Sequence, residues 1–82
     1  MINVIGLGYI GLPTALMLAS HGQAVVGTDY NADLVATLNA GKTTFKEDGL
    51  DELFAAAVQG GIRFTTEYQK TCYVAFGLTH EQ

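Results

Sequence analysis

The sequence has no tryptophan, one cysteine (Cys72), one proline (Pro13) and only four lysines and arginines among 82 residues. A lone cysteine excludes an intrachain disulfide. With two widely separated histidines, His21 and His80, it makes no recognisable metal-ligand spacing. Eight acidic residues against four basic ones leave a formal net charge of −4, the wrong sign for nucleic acid or an anionic membrane surface. No apolar run approaches the ~20 residues of a membrane span. No basic stretch precedes the apolar opening, as a secretory leader would require, so a cytoplasmic protein is expected. Repeats and low-complexity segments are absent as well. What the chain does have is apolar character, 49% of its residues, which is a globular composition at the length of one small domain. A chain this short buries roughly 60–65% of its unfolded surface, so its stability is expected to be marginal.

The most informative stretch is the opening, MINVIGLGYIG. Ile2–Ile5 is short, apolar and rich in β-branched residues, the composition of a strand buried on both faces. Gly6, Gly8 and Gly11 follow directly in the spacing G-x-G-x-x-G, and a helical pattern starts behind them. That is the context of a dinucleotide-binding loop. The first glycine permits a tight turn, the second a close approach of backbone to pyrophosphate, and the third close packing of helix on sheet. The free N–H groups and partial positive charge of the helix N-terminus then face the phosphates.

A second apolar stretch, Ala24–Thr28, ends on Asp29, eighteen residues after Gly11. An acidic residue about 20 positions beyond the glycines is where a carboxylate takes the 2′- and 3′-hydroxyls of the adenosine ribose. A carboxylate there repels a 2′-phosphate, so NAD is preferred over NADP. Aspartate is also common as a turn residue at strand ends, but the distance from the glycines favours the cofactor reading.

Along the rest of the chain, Leu12, Ala15, Leu16 and Ala19 mark one face of a helix. Pro13 lies in its first turn, where a missing N–H breaks no helical bond, and Gly22 stands where the helix ends. His21 beside it reads as a polar helix-end residue. Asn31 is the expected N-cap of a helix over Ala32–Asn39, with Leu34, Val35 and Leu38 as its apolar stripe. Lys42–Asp48 is a polar loop interrupted by Phe45, and Gly49–Val58 is a third helix stopped by Gly60 and Gly61. Glu47, Asp48, Asp51 and Glu52 suit a solvated first helical turn better than a metal or acid–base site. Ile62–Thr65 alternates like a short strand, and Cys72–Phe76 reads as a final strand. No base neighbours Cys72 in sequence, so a structural role is expected for it. Gly77–Gln82 carries no signal.

Taken together, GLGYIGLPTA (Gly6–Ala15), VVGTD (Val25–Asp29), LNAGK (Leu38–Lys42), Glu47 with Gly49-Leu50, and GGIRFTT (Gly60–Thr66) resemble the nucleotide-sugar 6-dehydrogenases. The resemblance extends over most of residues 1 to about 76, and Leu12-Pro13-Thr14-Ala15 leans toward the branch acting on UDP-N-acetylmannosamine. It implies an α/β fold, a partial Rossmann fold with about four mostly parallel strands in the order 3-2-1-4 and flanking helices. Gly6, Gly8 and Gly11 would form the phosphate loop, the backbone at Tyr9 and Ile10 would face the pyrophosphate, and Asp29 would hold the ribose. NAD is the implied cofactor.

Departures from the pattern bound the functional expectation. Thr44 and Asp48 stand where the family often has prolines. Phe76-Gly77-Leu78-Thr79 replaces a Val-Pro-Thr-Pro turn that meets the cofactor. The family oxidises a sugar C6 alcohol to a carboxylate in two steps, using a nucleophilic cysteine and partner Lys, Asn and Asp groups. Those groups lie in segments beyond residue 82, and Cys72 is in the wrong segment to stand in for them. The resemblance therefore implies a truncated NAD-binding domain over residues 1–82, without catalytic residues, metal or UDP-sugar site. A stand-alone nucleotide-binding module and a self-associating remnant are the alternatives. An exposed strand edge at Cys72–Phe76 and a bare apolar sheet surface would favour a homo-oligomer.

Overall fold

A computed structural model describes residues 1–67 and the backbone of residues 73–76. The chain runs β1 (Ile2–Ile5), α1 (Gly11–Ser20), β2 (Val25–Thr28), α2 (Ala32–Asn39), α3 (Leu50–Gln59), β3 (Arg63–Thr65) and β4 (Tyr73–Phe76). The strands form one sheet in the order β3-β2-β1-β4, every pair parallel. This is the α/β, partial Rossmann arrangement that the sequence implies.

Register follows from the β1–β2 ladder, in which Ile2 faces Val25 and Ile5 faces Thr28. Alternation along a strand then sends Val4, Val25 and Phe64 to one side, where they share a core with residues from all three helices. From α1 come Leu12, Ala15, Leu16 and Ala19; from α2, Val35 and Leu38; from α3, Leu50, Phe54 and Ala57. All three helices therefore lie on one face of the sheet. The steps from β1 to β2 and from β2 to β3 run in the same direction, and crossovers of one hand place their helices on the same side. Each fully buried leucine or valine here contributes about 1.5–3 kcal/mol relative to exposure. The Phe54 and Phe64 rings stack with centroids 6.0 Å apart, tying α3 to β3.

Helix ends follow local chemistry. The Asn31 side chain caps α2, accepting from the Leu34 N–H at 3.1 Å. His21 caps the C-terminal end of α1 with Nδ1 2.9 Å from the Met17 carbonyl oxygen. α3 begins one residue later than its pattern suggests, because Gly49 takes a left-handed conformation (φ 80°) and serves as N-cap. Gly60 has an ordinary φ of −76°, so its missing side chain answers a packing need. A Cβ there would stand 2.5 Å from the Ala19 carbonyl oxygen, where the end of α3 crosses the end of α1.

Some boundaries differ from expectation. β2 starts at Val25 rather than Ala24, whose carbonyl only receives the Ile2 N–H at 2.8 Å. β3 starts at Arg63 because the Ile62 N–H is spent on the Ala57 carbonyl closing α3. β4 starts at Tyr73, and Cys72, His80 and the Gly77–Gln82 tail lie outside the described residues. The bare apolar sheet surface expected from the sequence is not found along β1 and β2. On the face away from the helices Asn3, Val26 and Thr28 are buried, and the Thr28 hydroxyl donates to Asn3 Oδ1 at 2.7 Å. Among the described residues β4 is the last strand of the sheet on its side; the side chains of Cys72–Phe76 are among those not described.

Candidate functional site

Because β1 and β2 are parallel neighbours in register, their carboxyl ends lie side by side, which brings the glycine loop to Asp29. Gly6 leaves β1 with φ 94°, a conformation that L side chains rarely adopt, while its N–H continues the ladder to the Thr28 carbonyl at 2.8 Å. Leu7 is fully buried and drives the loop's first turn into the core, with Gly27 of β2 leaving room for its side chain. The turn then lifts Tyr9 and Ile10 to the surface, 63% and 50% exposed, before α1 starts at the buried Gly11.

The loop and Asp29 are directly bonded. Asp29 Oδ2 accepts from the Leu7 N–H at 2.9 Å, and Oδ1 accepts from the Asn31 N–H at 2.9 Å. The Asp29 N–H is held by the Thr65 carbonyl of β3 at 3.1 Å. The carboxylate is thus fixed between the glycine loop and the start of α2. Each ionised oxygen has room for about two donors, so one acceptor position on each remains for an incoming hydroxyl.

At the helix start, the Leu12 N–H returns to the Gly8 carbonyl at 3.1 Å and the Thr14 N–H to the Ile10 carbonyl at 3.3 Å. The N–H groups of Gly8, Tyr9, Ile10 and Gly11 have no hydrogen-bond partner among the described residues. No acidic residue occupies the first turn of α1 to compete with an anion. Open amides at a helix N-terminus and a fixed carboxylate nearby are the two halves of an adenosine-diphosphate cradle.

Two features of the site escape sequence reasoning. One is the Leu7–Asp29 bond, whose trace in the sequence is a leucine at the variable position of Gly6-Leu7-Gly8. The other is Phe45, which leaves the α2–α3 loop to pack on the core and against Tyr9, with ring centroids 4.6 Å apart. Its trace is a single aromatic in an otherwise polar loop. A hollow of about 430 Å³ beside Lys42, Lys46, Asp51 and Phe54 involves none of the glycine-loop residues. Dinucleotides instead occupy an open crevice beyond the strand ends. Among the described residues no group of three or more His, Cys, Asp or Glu is placed to hold a metal ion. No described helix is long and apolar enough to cross a membrane.

The parallel order β3-β2-β1-β4, the glycine turn and the carboxylate at the end of β2 define a dinucleotide-binding domain of the Rossmann class. Residues 1–76 match the model of the UDP-glucose/GDP-mannose dehydrogenase family, NAD binding domain. The chain belongs to that family, and NAD is the family's cofactor. Among curated relatives, an NDP-N-acetyl-D-galactosaminuronic acid dehydrogenase of Ralstonia nicotianae is 54% identical over 67 residues, covering 80% of this chain and 16% of the relative. A UDP-N-acetyl-D-mannosamine dehydrogenase of Yersinia pestis is 52% identical over 60 residues, covering 73% of this chain and 14% of the relative. The native structure of the UDP-N-acetyl-mannosamine dehydrogenase Cap5O from Staphylococcus aureus superposes with a TM-score of 0.87 at 33% identity, over 94% of this chain and 19% of that one. The chain thus spans about one sixth of the length of the curated relatives it matches.

Proposed function

We propose that residues 1–82 are a single NAD-binding unit that holds the adenosine-diphosphate half of the cofactor. The observation that carries this reading is the Asp29 carboxylate, bonded at 2.9 Å to the Leu7 N–H beside a run of open amides. The N–H groups from Gly8 to Gly11 receive the pyrophosphate, with Gly6 making the turn that presents them and the backbone at Tyr9 and Ile10 closest to it. Asp29 takes the ribose hydroxyls and repels a 2′-phosphate, which favours NAD over NADP. Bound NAD supplies the hydride acceptor; what this chain supplies is grip and orientation.

The parent reaction is oxidation of a UDP-sugar to its uronate, with UDP-N-acetylmannosamine as the favoured substrate. Support for the sugar comes from the Leu12-Pro13-Thr14-Ala15 run and from the names of the relatives. The chain is cytoplasmic and self-associates through the strand edge at Cys72–Phe76, a reading supported by the place of β4 at one end of the sheet among the described residues.

Calorimetric titration of the chain with NAD, ADP-ribose and NADP tests the cofactor reading. Binding of the first two, exclusion of NADP, and loss of binding in Asp29→Ala are expected. Equal binding of NAD and NADP, or binding undiminished in the variant, would remove Asp29 from the site.

A further inference from the structure

We propose that Phe45 is a positioning residue for pyrophosphate binding: its ring fixes Tyr9, and through Tyr9 the open amides of the glycine loop. This role rests on those amides as the phosphate site. The carbonyls on either side of Tyr9 are tied into the first turn of α1, Gly8 by the Leu12 N–H at 3.1 Å and Ile10 by the Thr14 N–H at 3.3 Å. The bond between them is missing. The residue that would donate to the Tyr9 carbonyl is Pro13, which has no N–H. Tyr9 therefore has no backbone hydrogen bond among the described residues. Gly8 before it adds conformational freedom rather than restraint.

What holds Tyr9 is its side chain. Although largely exposed, its ring lies 4.6 Å from that of Phe45, centroid to centroid, with the planes inclined at 50°. That is the range of a favourable tilted aromatic pair. Phe45 is a firm support, because it is half-buried against the core and its loop is tied at both ends. The Lys42 N–H bonds the Thr37 carbonyl of α2 at 3.2 Å, and the Leu50 N–H of α3 bonds the Glu47 carbonyl at 3.0 Å. A side chain anchored in the core thus reaches a loop residue whose backbone is unbonded. Donors already held in place bind an anion more tightly, since little ordering remains to be done on binding. Asp29 is fixed by its own bonds to Leu7 and Asn31, so the ribose end of the ligand does not depend on Phe45.

That separation supplies the experiment. Phe45→Leu keeps an apolar side chain on the core without the ring, and Phe45→Tyr keeps the ring. Both variants, Tyr9→Leu and the double variant Phe45→Leu/Tyr9→Leu are titrated with ADP-ribose and with adenosine, which has the ribose but no phosphate. Phe45→Leu should melt with the parent chain, bind ADP-ribose about three- to tenfold more weakly and bind adenosine unchanged. Phe45→Tyr should bind ADP-ribose as the parent does. With Tyr9 already replaced, loss of the second ring should have no further effect. Amide relaxation measured by NMR without ligand should show Gly8–Gly11 less ordered in Phe45→Leu. Unchanged ADP-ribose affinity or amide order in Phe45→Leu, an equal loss toward adenosine, or additive losses in the double variant would overturn the positioning role and leave the phosphate site standing. If the parent chain binds ADP-ribose no better than adenosine, the amides do not receive pyrophosphate and both readings fall.

Discussion

Replacing Asp29 with alanine should damage the fold before any ligand is added, because this carboxylate is a structural clamp as well as a ligand group. It receives the Leu7 N–H at a partly buried position and the Asn31 N–H at an exposed one, both at 2.9 Å. A hydrogen bond to a charged group contributes about 1.5–3 kcal/mol net, and an exposed one falls at or below the lower end. Leu7 is itself fully buried, so its N–H would lose its partner where water has little access. The two losses together should cost about 2–3 kcal/mol. For a domain of this size each kcal/mol moves the melting temperature by ~4–8 °C, so Asp29→Ala should melt roughly 10–20 °C below the parent chain. Asp29→Asn keeps a single carbonyl oxygen, which serves one N–H while its amide group opposes the other; about half the loss is expected. Thermal unfolding followed by circular dichroism at 222 nm, without ligand, reads both values. If both variants melt at the parent temperature, the carboxylate does not bridge the loop to α2, and its proposed preorganisation for ribose fails with it.

Gly60→Ala should destabilise by about 1–2 kcal/mol, the overpacking against the Ala19 carbonyl outweighing the usual gain from a less flexible residue. A neutral or stabilised variant in denaturant titration would mean that α1 and α3 approach less closely. Thr28→Val removes the 2.7 Å hydrogen bond from the Thr28 hydroxyl to Asn3 Oδ1 and should cost about 0.5–1.5 kcal/mol, read from the same titration. Phe45→Ala should weaken ADP-ribose binding several-fold by releasing Tyr9 in the glycine loop, while Phe45→Leu, which refills the core position, restores the melting temperature but not the affinity. Analytical ultracentrifugation should find dimers or larger species at high micromolar concentration; a well-folded monomer would rule out association through the β4 edge.

Much of the architecture was legible because the signals are local and periodic. Ile2–Ile5 and Ala32–Asn39 coincide with β1 and α2 as observed, since a β-branched run stopped by a glycine, and an asparagine before a helical stripe, each act within a few residues. Misjudged boundaries lie where a backbone group is claimed from outside the pattern, as when the Ile62 N–H closes α3 instead of opening β3. The sheet surface was misjudged for a different reason. The β1–β2 register puts Asn3 and Thr28 on one face, and both that register and the cover over the face along β1 and β2 are properties of the assembled chain.

By itself, then, the sequence determined the element types, the glycine spacing and the carboxylate at the end of the second strand. Each of these is encoded in residues close together in the chain, where backbone sterics and side-chain period act directly. Only tertiary structure decided that Asp29 bonds to Leu7, that Phe45 meets Tyr9, that Gly60 passes under Ala19 and that Asn3 pairs with Thr28. Those contacts join residues far apart in sequence. They exist because parallel pairing of β1 with β2 sets one strand end beside the other, and because the crossovers put all three helices on one face of the sheet.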